Sequence, residues 1–189
     1  MRMVNRRALT GTLLLLTACG TQTPAATPSS PVPSPVPSVS EQGPRRSDIR
    51  WHGEGDPFNA EVELADGRRV AMHYRRGKGL FEQHYSPRAR RWTEPRLVYR
   101  TKTEACQGIE LRAFDGTVAA IADFGRYCAD GEPPMESIAA VGTGDLSTWD
   151  HHLTRSFDGW EKISGRAGTV TFERGSSSLR WTRNGGFAG

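Results

Sequence analysis

From residue 48 to residue 189 no apolar stripe recurs at helical spacing; short apolar runs alternate with turn-forming residues instead. That punctuation leaves little room for anything but strands. The spacing predicts strands over Ala60–Leu64, Arg69–Tyr74, Leu80–Tyr85, Leu97–Thr101, Ala105–Phe114, Thr117–Phe124, Ser137–Val141, Thr169–Glu173 and Leu179–Thr182. Between them stand Asp66-Gly67, Gly77-Lys78-Gly79, Asp115-Gly116, Asp130-Gly131 through Pro134, Asp158-Gly159, Gly175-Ser176 and Asn184-Gly185. Asp-Gly between two apolar runs favours a type I′ hairpin, because both residues tolerate positive φ. Phe114-Asp115-Gly116-Thr117 fits that pattern best. The expected fold is all-β, built of antiparallel sheets, and residues 48–189 have the length of one domain.

The preceding residues have a different character. Leu13–Leu16 form a short apolar block behind Arg2, Arg6 and Arg7. The block ends at Thr17-Ala18-Cys19-Gly20, and a tract of Pro, Ser, Thr and Val follows. Positive charge, a short apolar core and small residues are the plan of a secretory signal peptide. The apolar block is shorter than the roughly 20 residues a bilayer-spanning helix needs. Leu16-Thr17-Ala18-Cys19 resembles the bacterial lipobox. The resemblance implies a signal peptide over 1–18, cleavage before Cys19, and acyl chains on that cysteine. Two or three chains would give stable attachment where one is marginal. The expected location is the outer face of the cell membrane, with the membrane as a partner through the anchor. Residues 19–47 read as a linker: repeated Pro fixes φ, removes donors and favours an extended spacer.

The other cysteines are Cys106 and Cys128. With Cys19 acylated they form an even pair in an exported domain, where a disulfide is expected. A two-residue turn at Asp115-Gly116 would set Cys106 opposite Gly125, so the bridge requires the chain to bend after Phe124. Two free thiols or a metal site is the alternative, but this Cys spacing, without a nearby His pair, suits zinc poorly.

The formal net charge of +4 is inflated by the leader. Losing Arg2, Arg6 and Arg7 lowers Lys+Arg from 25 to 22 against 21 Asp+Glu, a mature net of +1. That balance argues against a nucleic-acid partner. The positive charge is concentrated between residues 66 and 104, in Arg68, Arg69, Arg75, Arg76, Arg88, Arg90 and Arg91 among others. Alternating strand faces would gather some of these into a basic surface for an anionic envelope polymer or lipid headgroups. Solvated turns and outer strand faces are the plainer account.

Tryptophan recurs in similar settings at Trp92, Trp149, Trp160 and Trp181. Turn-then-strand signals at Asp66-Gly67, Asp115-Gly116 and Ala167-Gly168 are offset by 49 and then 52 residues. Such offsets approach the length of a propeller blade. Gly144-Asp145-Leu146-Ser147-Thr148-Trp149 resembles a blade segment of sialidase-like and related glycoside-hydrolase β-propellers. Tyr85-Ser86 through Trp92-Thr93-Glu94-Pro95 resembles the same element, with Arg88 where Asp would be expected, and Ser156-Phe157-Asp158-Gly159-Trp160 resembles a contracted Asp-box turn. The resemblance implies incomplete propeller-like blades and a small carbohydrate-active hydrolase as one function. These are scaffold motifs, in which Asp accepts turn N–H groups and Trp packs between sheets. Blades of that length leave room for fewer than three here, and a closed propeller needs four. A β-sandwich with similar hairpins is the alternative.

No nucleophile elbow, phosphate loop, HExxH, CxxC or EF-hand loop is present, so the sequence nominates no catalytic residue, metal ligand or cofactor. His73 and His84 would face each other if Arg75–Gly79 were a hairpin loop, which would suit Zn or Cu. His151 and His152 are adjacent and would point to opposite strand faces. Asp123, Glu61 and Asp145 gathered in one pocket would favour a hydrolase. Scattered, they favour a non-catalytic binding module for an envelope polymer or protein.

Overall fold

The computed structural model describes residues 43–188; Cys19 and most of the linker lie outside them. The fold is all-β and antiparallel, in three sheets that follow one another along the chain. The first holds β1 (Asn59–Glu63), β2 (Arg69–Arg75) and β3 (Gly79–Ser86), with β4 (Arg91–Trp92) and β5 (Arg96–Arg100) both pairing with β3. The second is the meander β6 (Glu110–Phe114), β7 (Thr117–Phe124), β8 (Glu136–Gly142) and β9 (Trp149–Arg155). The third is the meander β10 (Lys162–Arg166), β11 (Thr169–Arg174), β12 (Ser177–Thr182) and β13 (Gly186–Phe187).

The turns follow from the residues in them. Phe114 pairs with Thr117, and Asp115 and Gly116 have φ of 45° and 74°, the two positive values of a I′ turn. Ala167 and Gly168, at 50° and 75°, close the β10–β11 hairpin in the same way.

Packing is sandwich-like on both sides of the second sheet. Every residue of β7 is buried, and β8 is buried from Ser137 onward. Alternation explains how two faces are served at once. Ala120, Ala122, Phe124, Ile138 and Ala140 pack with Met72, Tyr74 and Leu80 of the first sheet. Ala119, Ile121, Ala139 and Val141 pack with Ile163, Val170, Phe172, Leu179 and Trp181 of the third. Alanine at so many of these positions allows close approach from either side. The outward positions of the third sheet are polar: Lys162, Ser164 and Arg166 beside Thr169, Thr171 and Glu173, then Ser178, Arg180 and Thr182. Each sheet thus has the connectivity of a blade, but the stack ends in a face without apolar side chains to bury a fourth. The sheets do not close into a barrel.

Two expectations change in detail. The strand expected over Ala105–Phe114 is regular only from Glu110; Ala105 forms an isolated bridge to Phe124. A straight ladder would put residue 107 there, so the chain slips by two residues. Ile109 N–H turns away to the carbonyl of Pro57, while Gly125 N–H donates to Glu104. Cys106 and Cys128 are disulfide-bonded with Cα atoms 5.3 Å apart, Cys128 opening a 3-10 turn over Cys128–Asp130. A Cβ on Gly125 would lie 2.6 Å from Cys128 Sγ and 3.2 Å from Cys106 Sγ, so glycine is what the bridge can pack against. Second, His73 and His84 do not face each other: His73 pairs with Phe81, and His84 with Val70.

A candidate binding groove on the first sheet

On β2 and β3, Val70, Met72, Tyr74 and Leu80 point into the core, so the alternate residues form the sheet's outer face. Residues 43–48 cross that face. Arg45 N–H donates to Gln83 Oε1 at 2.8 Å, Ser47 N–H to Asn59 Oδ1 at 2.7 Å, and Arg76 N–H to Asp48 Oδ1 at 2.8 Å. Gln83 Nε2 in turn donates to the carbonyl of Thr93 at 2.6 Å. The buried amide of Gln83 therefore ties this strap to the segment after β4. Residues 43–47 fall on the linker side of the boundary expected at 48.

Between strap and β4 lies a groove of about 400 Å³, lined in part by Arg45, Arg69, Tyr85, Arg90, Arg91, Trp92 and Glu94. Pairing positions its centre. Tyr85 stands opposite both Arg69 and Trp92, so the three side chains share a face. The two rings are 5.8 Å apart. The Arg69 guanidinium carbon lies 5.6 Å from the Tyr85 ring centre and 5.1 Å from that of Trp92, within cation–π range. Its Nε donates to Glu61 Oε1 at 2.6 Å, and this bond raises the Arg69 pKa further above its ordinary value. Among the described residues no acceptor engages its two terminal nitrogens. Arg45 pairs with Glu94 at 3.5 Å, both side chains exposed. Arg90 has φ of 50° in the turn before β4, where Gly or Asn would be easier by about 1 kcal/mol.

The seven arginines named from sequence do not form one patch. Arg69, Arg90 and Arg91 line the groove. Arg68 turns to Asp66 and to the carbonyl of Gly144 in the loop between β8 and β9. Arg75 lies over the Phe81 ring, 5.5 Å away. Arg76 pairs with Glu104 at 3.6 Å, and Arg88 sits in the exposed turn after β3. Sequence reasoning did not reach Arg45, Tyr85 or Gln83 as groove residues, and Trp92 drew attention only as a scaffold residue. The available signal was an Arg-Arg-Trp run beginning five residues after Tyr85.

The three acids considered for catalysis lie apart. Glu61 is on the outer face of the first sheet, bonded to Arg69. Asp145 is in an exposed turn, where accepting from Ser147 N–H at 2.9 Å holds its pKa below the usual value. Asp123 is 2 % exposed between the second and third sheets. Burial pushes its pKa up to about 6, partly offset by Ser137 opposite and by the charge of Arg174. A Cβ on Gly159 would lie 3.2 Å from either carboxylate oxygen, so the Phe157–Trp160 loop closes over the group. His151 and His152 do point to opposite faces, toward Tyr99 and Phe187. Among the described residues no three His, Cys, Asp or Glu side chains gather closely enough to hold a metal ion. Comparison with protein-family models, curated proteins and solved structures finds no match for this chain.

Proposed function

We propose that this is a lipid-anchored cell-envelope protein whose β domain is a non-catalytic binding module. Acylated Cys19 attaches it to the outer face of the membrane, the Pro-rich linker spaces it from the bilayer, and the groove on the first sheet holds a polymer or protein partner. The groove carries this reading. It combines aromatic faces with guanidinium groups at the surface, whereas the acids lie apart and Asp123 is shut between sheets. A general acid must reach its substrate, so the enclosed Asp123 carboxyl counts against the hydrolase. The small mature net charge counts against nucleic acid.

Mass spectrometry of the native protein extracted from membranes tests the anchor. The expected N-terminal peptide begins at Cys19 and carries acyl mass, together with a linked Cys106–Cys128 peptide pair. Native chain recovered with residues 1–18 intact and no acyl mass would overturn the reading.

A further inference from the structure

We propose that the groove's ligand is an acidic glycan, a chain of sugar rings bearing carboxylate groups. The inference rests on reading this groove as the module's binding face.

Three features select that chemistry. Tyr85 and Trp92 are both half-buried and stand beside one another with the Arg69 guanidinium against both, so aromatic surface and positive charge meet in one place. Sugar rings carry C–H faces that stack on such surfaces, whereas an isolated phosphate gains nothing from them. Second, Arg45, Arg69, Arg90 and Arg91 line the groove, with Glu94 in the lining and Glu61 bonded to Arg69, which leaves the cations in excess. Arginine matches the planar, two-oxygen geometry of a carboxylate or phosphate. Arg69 is held between the rings and Glu61, so it is placed before a ligand arrives, and little side-chain entropy remains to be lost on binding. Third, β4 is two residues long and leaves the sheet edge beside the groove short. A groove recessed between the strap and β4 takes a chain better than a flat bilayer surface. Arg90 adds a supporting observation, because its left-handed backbone is strained for a side chain yet keeps a cation at the rim.

The test uses the full chain with Cys19→Ser, so that no acyl group governs the result. Binding is measured to polygalacturonate, neutral dextran, inorganic polyphosphate and phosphatidylglycerol vesicles. The expected result is binding to polygalacturonate that weakens with salt and that dextran does not reproduce. Trp92→Ala and Arg69→Gln should each weaken it at least about tenfold, the scale of losing one such contact, while Arg68→Gln leaves it unchanged. Arg90→Gly should raise the melting temperature and lower the affinity together, which a merely structural role would not do. No polygalacturonate binding, equal binding to dextran, or polyphosphate or vesicle binding as tight and indifferent to Trp92→Ala would overturn the inference. If acyl mass is found on Cys19 but glycan binding is absent, the ligand assignment fails and the anchored module stands. Groove-dependent glycan binding by a native chain without acyl mass would give the reverse.

Discussion

At the scale of single residues, Asp123 and His73 pull stability in opposite directions as pH changes. Asp123 has its pKa raised by burial to about 6 in the fold, against 3.8 when exposed. Its contribution is fully present below pH 3.8 and is lost as pH rises through 6, a cost to the folded state of about 3 kcal/mol at neutral pH. His73 is 0 % exposed and stacks on Phe81, 5.8 Å away, and among the described residues neither ring nitrogen has a partner. Burial, and then the charge of Arg75, lowers its pKa from 6.5 to about 4. Its contribution is present above pH 6.5 and is lost as pH falls through 4. Between pH 4 and 6 the two effects oppose each other. Asp123→Asn should therefore be more stable than the wild type near pH 7, with the gain shrinking toward pH 4 and a steeper loss on acidification. His73→Leu should become relatively more stable as acid is added. Urea midpoints at pH 4.5, 6 and 7.5 check both, and parallel curves for all three proteins would refute the assignment.

At the scale of elements, the disulfide and its glycine act as a unit. The bridge spans 22 residues of sequence and should contribute about 3 kcal/mol. Gly125→Ala drives a methyl group against both sulfurs and should cost about 1–3 kcal/mol, as overpacking does. In a Cys106→Ser/Cys128→Ser background most of that cost should vanish; an additive double-mutant cycle in urea would contradict the coupling. Which elements the sequence disclosed follows from their surroundings. β7 was legible to the residue because it is apolar from Val118 to Ala122, ends in Phe124 and starts at an Asp-Gly turn. β9 was not, because Trp-Asp-His-His-Leu-Thr-Arg serves two sheets at once. Trp149 and Leu153 pack toward the first, whereas Asp150 accepts from Trp181 Nε1 at 2.8 Å and His152 meets Phe187 of the third. Amphipathic alternation cannot show on a strand with two working faces. β4 and β13, two residues each, are shorter than any periodicity. The groove was half legible: its arginines stand out in the chain, but their meeting depends on Tyr85 pairing with Trp92 and on Gln83 catching the end of the linker.

At the scale of the whole molecule, the order of sheets along the chain is also their order in space. The second sheet lies between the other two, and its alanines form part of both cores. The division into successive sheets was foreseeable from blade-length repeats of turn and strand. Termination of the stack was harder to foresee, since it depends on which residues of β10–β12 face outward. Because one wall serves two rooms, neither outer sheet can leave without stripping cover from the strands that hold its counterpart. Melting should therefore be a single event across all three layers. Fluorescence of a Trp92-only variant, reporting the first sheet, and of a Trp181-only variant, reporting the third, should give denaturant midpoints that each coincide with that variant's own circular-dichroism midpoint. Separate midpoints within either variant would mean that the layers come apart one at a time.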